Sequence, residues 1–178
     1  MVFAMLAVAG TANAQVVTVL KPVQIGVALG AAIPLSDLGK IFNTGYNVTG
    51  TIGINPAGLP VGFRIDAAYN QFGAQGLGNA NAKIAGVSGN VVLSMASAGM
   101  TPYLIGGVGY YRVSSSTTSC NDLFCASGGA SNHFGFNAGA GLRIPLMGFA
   151  AFIEARYNRI SENGGSTGFV PVTVGVMF

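Results

Sequence analysis

The sequence predicts an all-β protein, an eight-stranded antiparallel up-and-down transmembrane β-barrel, and three observations lead to this prediction. Only 7% of the 178 residues are charged while 51% are hydrophobic, whereas a typical soluble domain carries roughly 25% charged residues. Gly, Asn, Thr, Ser and Pro interrupt every apolar run before it reaches the about 18 residues that a membrane helix needs. Eight segments instead alternate apolar and polar residues with the period of a β-strand.

The predicted strands have about the length that a tilted strand needs to cross the hydrocarbon core of a bilayer. They lie at residues 23–31, 45–54, 61–71, 83–93, 102–113, 133–144, 151–160 and 169–178. Short connections follow the second, fourth and sixth strands, at 55–60, 94–100 and 145–150. Longer, Gly-rich connections follow the other strands, at 32–44, 72–82, 114–132 and 161–168. Outer-membrane barrels have this asymmetry, so the short turns and both termini are predicted in the periplasm and the long loops outside the cell.

Pairing strands across the short connections separates an apolar face from a polar face, because opposite residues share a face of the sheet. The predicted pairs run from 54/61 to 46/69 across the first turn and from 144/153 to 140/157 across the third. In the fifth strand the odd-numbered and the even-numbered positions both carry apolar residues. We assign the even-numbered set to the lipid, because it continues the alternation of the fourth strand: Leu104, Val108 and Tyr110.

The amino-terminal residues are predicted to be a signal peptide. Residues 2–9 form an apolar run, and Ala12-Asn13-Ala14 is a small-residue cleavage site. The basic residues that usually precede such a run are missing, which indicates a truncated leader. We therefore predict a signal peptide at 1–14 and a barrel domain at 15–178. The alternative is a short buried strand.

Two cysteines, Cys120 and Cys125, lie close together in the predicted loop between the fifth and sixth strands. Export to an oxidising compartment favours a loop disulfide, which would contribute about 2 kcal/mol through loop entropy. Two free thiols or half of a metal site are the alternatives. The metal reading is the weaker, because His133 is the only histidine and no second cysteine pair exists.

Five charged residues occupy positions that are predicted to point into the barrel, near the turn ends of the third, sixth and seventh strands: Arg64, Asp66, Arg143, Glu154 and Arg156. A buried charge needs a partner, so we expect an interior salt-bridge network in which Arg143 lies opposite Glu154. The alternative is a charged gate in a narrow pore, with the many inward glycines leaving room for water.

No catalytic, cofactor or metal site is predicted, and the protein is expected not to be an enzyme. Small outer-membrane lipid deacylases use a His and a Ser on the same face of a strand, but Gly135 stands two residues after His133. Without a nucleophile beside the base, the sequence contains no recognisable set of residues for general-base or nucleophilic catalysis. The net charge of +3 is too small and too scattered for nucleic-acid binding.

The last strand alternates valines with Thr173 and Gly175 and ends in an aromatic residue, Phe178. With the cleavage site, the eight strands and the loop asymmetry, the chain resembles the small bacterial outer-membrane β-barrel family, OmpA-like and OmpX-like, over residues 23–178. The resemblance implies that the barrel-assembly machinery recognises this strand, where Val174, Val176 and Phe178 match the alternating apolar positions. Thr173 stands where the family often has glycine.

We therefore expect a monomer in the bacterial outer membrane whose partners are lipid and the assembly machinery. Its predicted role is structural or adhesion-type, through extracellular loops. Asp122, Leu123 and Phe124, between the two cysteines, are the candidate contact for a host or extracellular ligand. The runner-up is a narrow passive channel for small solutes. A soluble lipocalin-like carrier is a third hypothesis, which the low charge disfavours.

Overall fold

The computed structural model shows a closed barrel of eight antiparallel strands in chain order, with the last strand pairing back onto the first. The structure describes residues 22–56, 59–73, 80–95, 99–117, 130–162 and 165–178. The strands are β1 (Val23–Leu35), β2 (Gly45–Ile54), β3 (Val61–Gly73), β4 (Ala80–Ser94), β5 (Thr101–Thr117), β6 (Ala130–Pro145), β7 (Ala150–Glu162) and β8 (Gly165–Met177), with a short helix α1 (Ser36–Ile41) after β1. The predicted up-and-down barrel is confirmed. None of the helices in these ranges is long and apolar enough to cross a membrane.

Alternation of side chains gives the barrel an apolar outer face and a mixed inner face. On β1 the outward Ile25 and Leu29 are each 61% exposed, while Gln24 and Ala28 on the inward face are 6% and 3% exposed. Large apolar side chains cover the outside of every strand in the same way. Such a band is unfavourable in water and is accommodated by hydrocarbon, so the outer face is the lipid-facing one.

The assignment of the two faces of β5 agrees with the structure. Leu104, Val108 and Tyr110 point outward and are 46%, 69% and 48% exposed, whereas Tyr103 and Tyr111 are almost fully buried inside. Both parities are apolar because the inner face of β5 supplies aromatic rings that fill the barrel.

The strands are longer than predicted at the loop end of the barrel. Polar residues such as Ser114 and Ser131 continue the β5–β6 ladder beyond the apolar alternation, because backbone hydrogen bonds do not require apolar side chains. The connections therefore shrink to 36–44, 74–79, 118–129 and 163–164. The predicted long loop at 161–168 is wrong, since β7 ends at Glu162 and β8 begins at Gly165. The Asn163-Gly164 dipeptide between them is a hairpin signal that the prediction overlooked.

The predicted pairing across the first and third turns is wrong by two residues, although the faces are right. Ile54 pairs with Phe63 rather than with residue 61, and Leu142 pairs with Ile153 rather than with residue 155. Val61 pairs only with Leu93 of β4, because strands of a closed barrel are staggered relative to each other. A shift of two residues leaves every side chain on its predicted face.

Aromatic residues gather near both ends of the outer face. At the loop end, Tyr110 packs edge-on against Phe134 with ring centroids 5.2 Å apart, and the rings of Tyr46 and Tyr69 lie 6.2 Å apart. At the turn end, Phe149 lies 6.0 Å from Phe178. Two such belts are typical of membrane barrels, where they mark the interfaces between lipid and water.

Inward glycines receive aromatic rings from the neighbouring strand. Tyr103 is paired with Gly141, Tyr111 with Gly86 and Phe152 with Gly175, and each ring lies over its glycine. A methyl group on Gly141 would overlap the Tyr103 ring and approach the Ile153 carbonyl oxygen at 2.8 Å. These glycines therefore hold space for aromatic side chains.

We predict that Gly141→Ala lowers the free energy of unfolding by about 1–3 kcal/mol, because overpacking displaces the Tyr103 ring. The matched control is Gly89→Ala on the outer face, where an added Cβ meets nothing within 4 Å. Urea titration of both variants refolded in lipid vesicles measures the difference. Equal stabilities for the two variants would contradict this account of the glycines.

Candidate functional site

The inner face of the barrel is organised in layers that can be followed along β7. From the turn end to the loop end its inward residues are two apolar residues, an acid, a base, an amide and an apolar residue, namely Ala150, Phe152, Glu154, Arg156, Asn158 and Ile160. All six are buried. The polar layer therefore lies between two apolar layers.

Four charged side chains form a network across the barrel, hereafter the charge network: Arg64, Asp66, Glu154 and Arg156. From β3, Arg64 Nη2 donates to both oxygens of Glu154 on β7, at 2.9 and 2.7 Å. From β7, Arg156 Nη1 donates to Asp66 Oδ2 at 2.8 Å. Arg156 also forms an ion pair with Glu154 on its own strand, and Arg64 Nε lies 3.0 Å from Asp66 Oδ1. Two cations and two anions make the network neutral.

Neutral polar side chains complete the hydrogen bonds of the charge network. Tyr103 donates its hydroxyl hydrogen to Glu154 Oε2 at 2.8 Å. Asn90 Nδ2 donates to Asp66 Oδ2 at 2.8 Å, and Asn137 Nδ2 donates to Asn90 Oδ1 at 2.9 Å. Neither tyrosine nor asparagine was predicted to take part. Their position in the alternation could have predicted this, because odd-numbered residues of β5 and even-numbered residues of β4 point into the barrel.

Arg143 does not lie opposite Glu154 as the sequence analysis expected. Because the β6–β7 register is shifted by two residues, Arg143 pairs with Phe152, and Glu154 pairs with Gly141. The Arg143 guanidinium lies over the Tyr103 ring, 5.5 Å from its centroid. It is 4% exposed, and its Nε has no hydrogen-bond partner among the described residues. Arg143 is therefore a buried cation that contacts an aromatic face.

An apolar cluster fills the loop end of the barrel above the polar layer. Its buried members come from six strands: Ala32, Phe72, Ala82, Ile84, Tyr111, Ile160 and Phe169. The rings of Phe72 and Phe169 meet edge to face at 5.8 Å. Leu38 of α1 and the adjoining Phe42 pack against this cluster. The helix thus covers the loop end of the interior.

The free space in the polar layer is small. A cavity of about 30 Å³ lies beside the charge network and is lined by Thr51, Arg64 and Thr173 among others. Thr51 Oγ1 and Arg64 Nη1 have no hydrogen-bond partner in the part of the chain that the structure describes, and a cavity of this size accommodates one or two water molecules. The inward glycines expected to leave room for water are instead covered by neighbouring rings and backbone, as at Gly86 and Gly139.

His133 and Ser131 form a hydrogen-bonded pair at the loop rim, with His133 Nε2 2.8 Å from Ser131 Oγ. The sequence pattern considered above places the serine after the histidine, whereas the serine in contact stands two residues before it. A nucleophile and a base are therefore adjacent. No carboxylate among the described side chains is bonded to the other nitrogen of this histidine, and catalytic pairs usually need such an orienting group.

The remaining predicted site residues lie elsewhere. Cys120, Asp122, Leu123, Phe124 and Cys125 fall outside the described residues, as does the predicted signal peptide. Val174 and Phe178 are exposed on the outer face. Phe178 exchanges two backbone hydrogen bonds with Ile25, at 2.8 and 3.2 Å. The described side chains contain no cluster of three or more His, Cys, Asp or Glu residues that could hold a metal ion.

Comparison with known proteins identifies the kind of barrel. The chain matches the family model of the outer membrane protein β-barrel domain over residues 1–178. No curated protein shows significant sequence similarity to it. These sequence comparisons therefore supply a family and no specific role.

Solved outer-membrane barrels share the fold. Neisserial surface protein A is similar with a TM-score of 0.68 and 14% identity, over 88% of this chain and 96% of that one. The attachment invasion locus protein Ail of Yersinia pestis gives a TM-score of 0.51 and 18% identity, over 88% and 97%. The amino-terminal barrel of Pseudomonas aeruginosa OprF gives 0.50 and 15%, over 87% and 97%. At such identities the likeness is one of fold.

We predict that Arg64→Met and Arg143→Met differ in their effect on stability, although each removes one buried cation. Arg64→Met leaves two carboxylates sharing Arg156 and is expected to cost about 3 kcal/mol of unfolding free energy. Arg143→Met loses a cation–π contact while removing a buried charge that has no ion-pair partner among the described side chains, so its cost is expected to stay below about 1 kcal/mol. Urea titration in lipid vesicles compares them, and equal losses would contradict the separation of Arg143 from the charge network.

Proposed function

Because the chain belongs to the outer membrane protein β-barrel domain family and is a lipid-embedded barrel of the bacterial outer membrane, we propose that it acts as a surface-interaction protein through its loop end. One observation carries this proposal: apart from a cavity of about 30 Å³, side chains fill the described part of the interior. The apolar cluster under α1, the charge network and the aromatic rings over glycines occupy the space that a transport route would need.

The loop end offers the surface for such an interaction. β5 and β6 are the longest strands, with 17 and 16 residues, and the longest connection on that side, 118–129, joins them. Asp122, Leu123 and Phe124 belong to this connection and are the proposed contact residues. A disulfide between Cys120 and Cys125 would restrict them and lower the entropy lost on binding. The structure of Ail contains a heparin analogue, so a barrel of this fold can carry ligand binding.

The proposed orientation places the loop end outside the cell and the turns and both termini in the periplasm. The connections at 55–60, 95–100 and 146–149 are short in sequence, as periplasmic turns of such barrels usually are. The barrel-assembly machinery is the proposed insertion partner, with Val174, Val176 and Phe178 as its recognition positions. Pairing of Phe178 with Ile25 supports this role, because the last strand is the one that closes the barrel. All strand edges are paired within one chain, which supports a monomer.

We propose no enzymatic activity and no cofactor. The Ser131–His133 pair is exposed at the rim, and exposure to water removes the low-dielectric surroundings in which catalytic groups are most effective. Fold alone does not decide this point, because one fold supports many functions.

We predict that the purified barrel shows no steady conductance in a planar lipid bilayer. The cavity beside the charge network is far too small for a continuous file of water across the membrane. Single-channel recording tests the wild type beside Glu154→Ala, which removes a carboxylate from the interior. A steady wild-type conductance that changes in Glu154→Ala would overturn the proposal in favour of a passive channel.

We predict that replacing residues 119–126 with a Gly-Ser linker abolishes binding of the protein-bearing cells to host cells or extracellular matrix. The same replacement of residues 74–79, another loop-end connection, is the matched control and should leave binding intact. Heat-dependent gel mobility verifies that both variants are folded. Unchanged binding after the 119–126 replacement, or equal loss in both variants, would contradict a contact centred on that loop.

A further inference from the structure

A groove crosses the lipid-facing wall of β2 to β6 near the loop end. Its floor consists of small residues on adjacent strands, Gly50, Ala67 and Ala85. Larger side chains form its sides, namely Val48, Tyr69, Val87 and Tyr110. The groove has a volume of about 670 Å³, which is within the range of small-molecule binding sites. It is therefore an apolar depression between larger side chains of the lipid-facing wall.

The loop end of this outer groove is basic. Arg112 and Asn132 line it and are paired across β5 and β6. Arg112 is also paired with Ala85 on β4, and Lys83 lies two residues farther toward the loops on the same outer face. Two exposed cations thus occupy diagonal positions on adjacent strands, where like charges repel. The residues opposite Lys83 are Gln71 and Ser114, which are uncharged.

We propose that the outer groove binds one molecule of a phosphorylated lipid, with its phosphate between Lys83 and Arg112 and an acyl chain over Gly50, Ala67 and Ala85. A phosphate relieves the repulsion between the two cations and accepts charge-assisted hydrogen bonds from the Arg112 guanidinium. The acyl chain fills the depression and makes van der Waals contacts with its floor that lipids packed against the larger neighbouring side chains would not make. That the lipid belongs to the outer leaflet rests on the orientation proposed above.

Two other features of the wall serve as internal controls. Arg159 on β7 is also an exposed outward cation at the loop end, yet it does not line the groove. A second depression lies over the directly paired Ala140 and Ala155, and its outward-facing lining carries no cation. Arg159 therefore tests the effect of a cation outside the groove, and the depression at Ala155 tests the effect of a groove without a cation.

The test measures binding of lipid A, a phosphorylated glycolipid, to the purified full barrel in uncharged detergent by native mass spectrometry. Arg112→Gln is expected to weaken binding about fivefold, as for one interfacial cation facing an anionic lipid. Ala85→Leu fills the groove and is expected to weaken binding comparably. Arg159→Gln and Ala155→Leu should bind as the wild type does. Fully dephosphorylated lipid A should bind more weakly, and its binding should no longer respond to Arg112→Gln.

Several outcomes would overturn the proposal. Equal weakening by Arg112→Gln and Arg159→Gln would show diffuse attraction to any cation, and equal weakening by Ala85→Leu and Ala155→Leu would show general lipid contact. Competition by inorganic phosphate alone would show an ion site without a lipid. Ala67→Leu gives a second groove-filling variant, and heat-dependent gel mobility verifies folding of each. The assay needs neither a loop ligand nor a cell, so its failure is separate from failure of the adhesion assay.

Discussion

The ion pairs between β3 and β7 are the interaction on which the interior of this barrel depends. Arg64 contacts Glu154, and Arg156 contacts Asp66, so two strands on opposite walls are tied across the lumen. Taking four charges out of water is expensive, and the cost is offset only when each charge has close partners and further hydrogen bonds. Tyr103 and Asn90 supply such bonds. The aromatic and glycine positions around the network follow from this need, because the Tyr103 ring reaches Glu154 only by lying over Gly141.

Much of the architecture could be predicted from alternation alone. A period of two assigns each side chain to lipid or to lumen, and this assignment survives an error of two residues in register, as at Ile54 and Leu142. Strand ends could not be predicted in the same way, because the ladder continues through residues such as Ser114 whose side chains carry no alternation. The residue pairs between neighbouring strands were predicted wrongly for a related reason. The stagger between strands of a closed barrel is a property of all eight strands together.

The candidate site was only partly accessible to sequence reasoning. Inward parity selected the charged residues, but partner choice depends on which rows of the barrel meet across the lumen. Arg143 points into the barrel as Arg64 does but occupies another row, where its guanidinium lies over the Tyr103 ring instead of beside a carboxylate. The Ser131–His133 contact was not predicted, because Ser131 precedes the histidine whereas the expected serine follows it. The outer groove has no sequence motif, since its floor is assembled from single small residues on three strands.

The arrangement of charges within each strand has a consequence for how the barrel enters the membrane. Arg64 lies 3.0 Å from Asp66 two residues along β3, and Glu154 likewise pairs with Arg156 on β7. Each strand therefore brings its own counter-ion and carries no net charge on this part of its inner face. An unpaired ion is far more costly in hydrocarbon than a neutral pair. β3 and β7 therefore each carry a neutral pair of charges of their own, and closure of the barrel adds the ion pairs across the lumen to those within each strand.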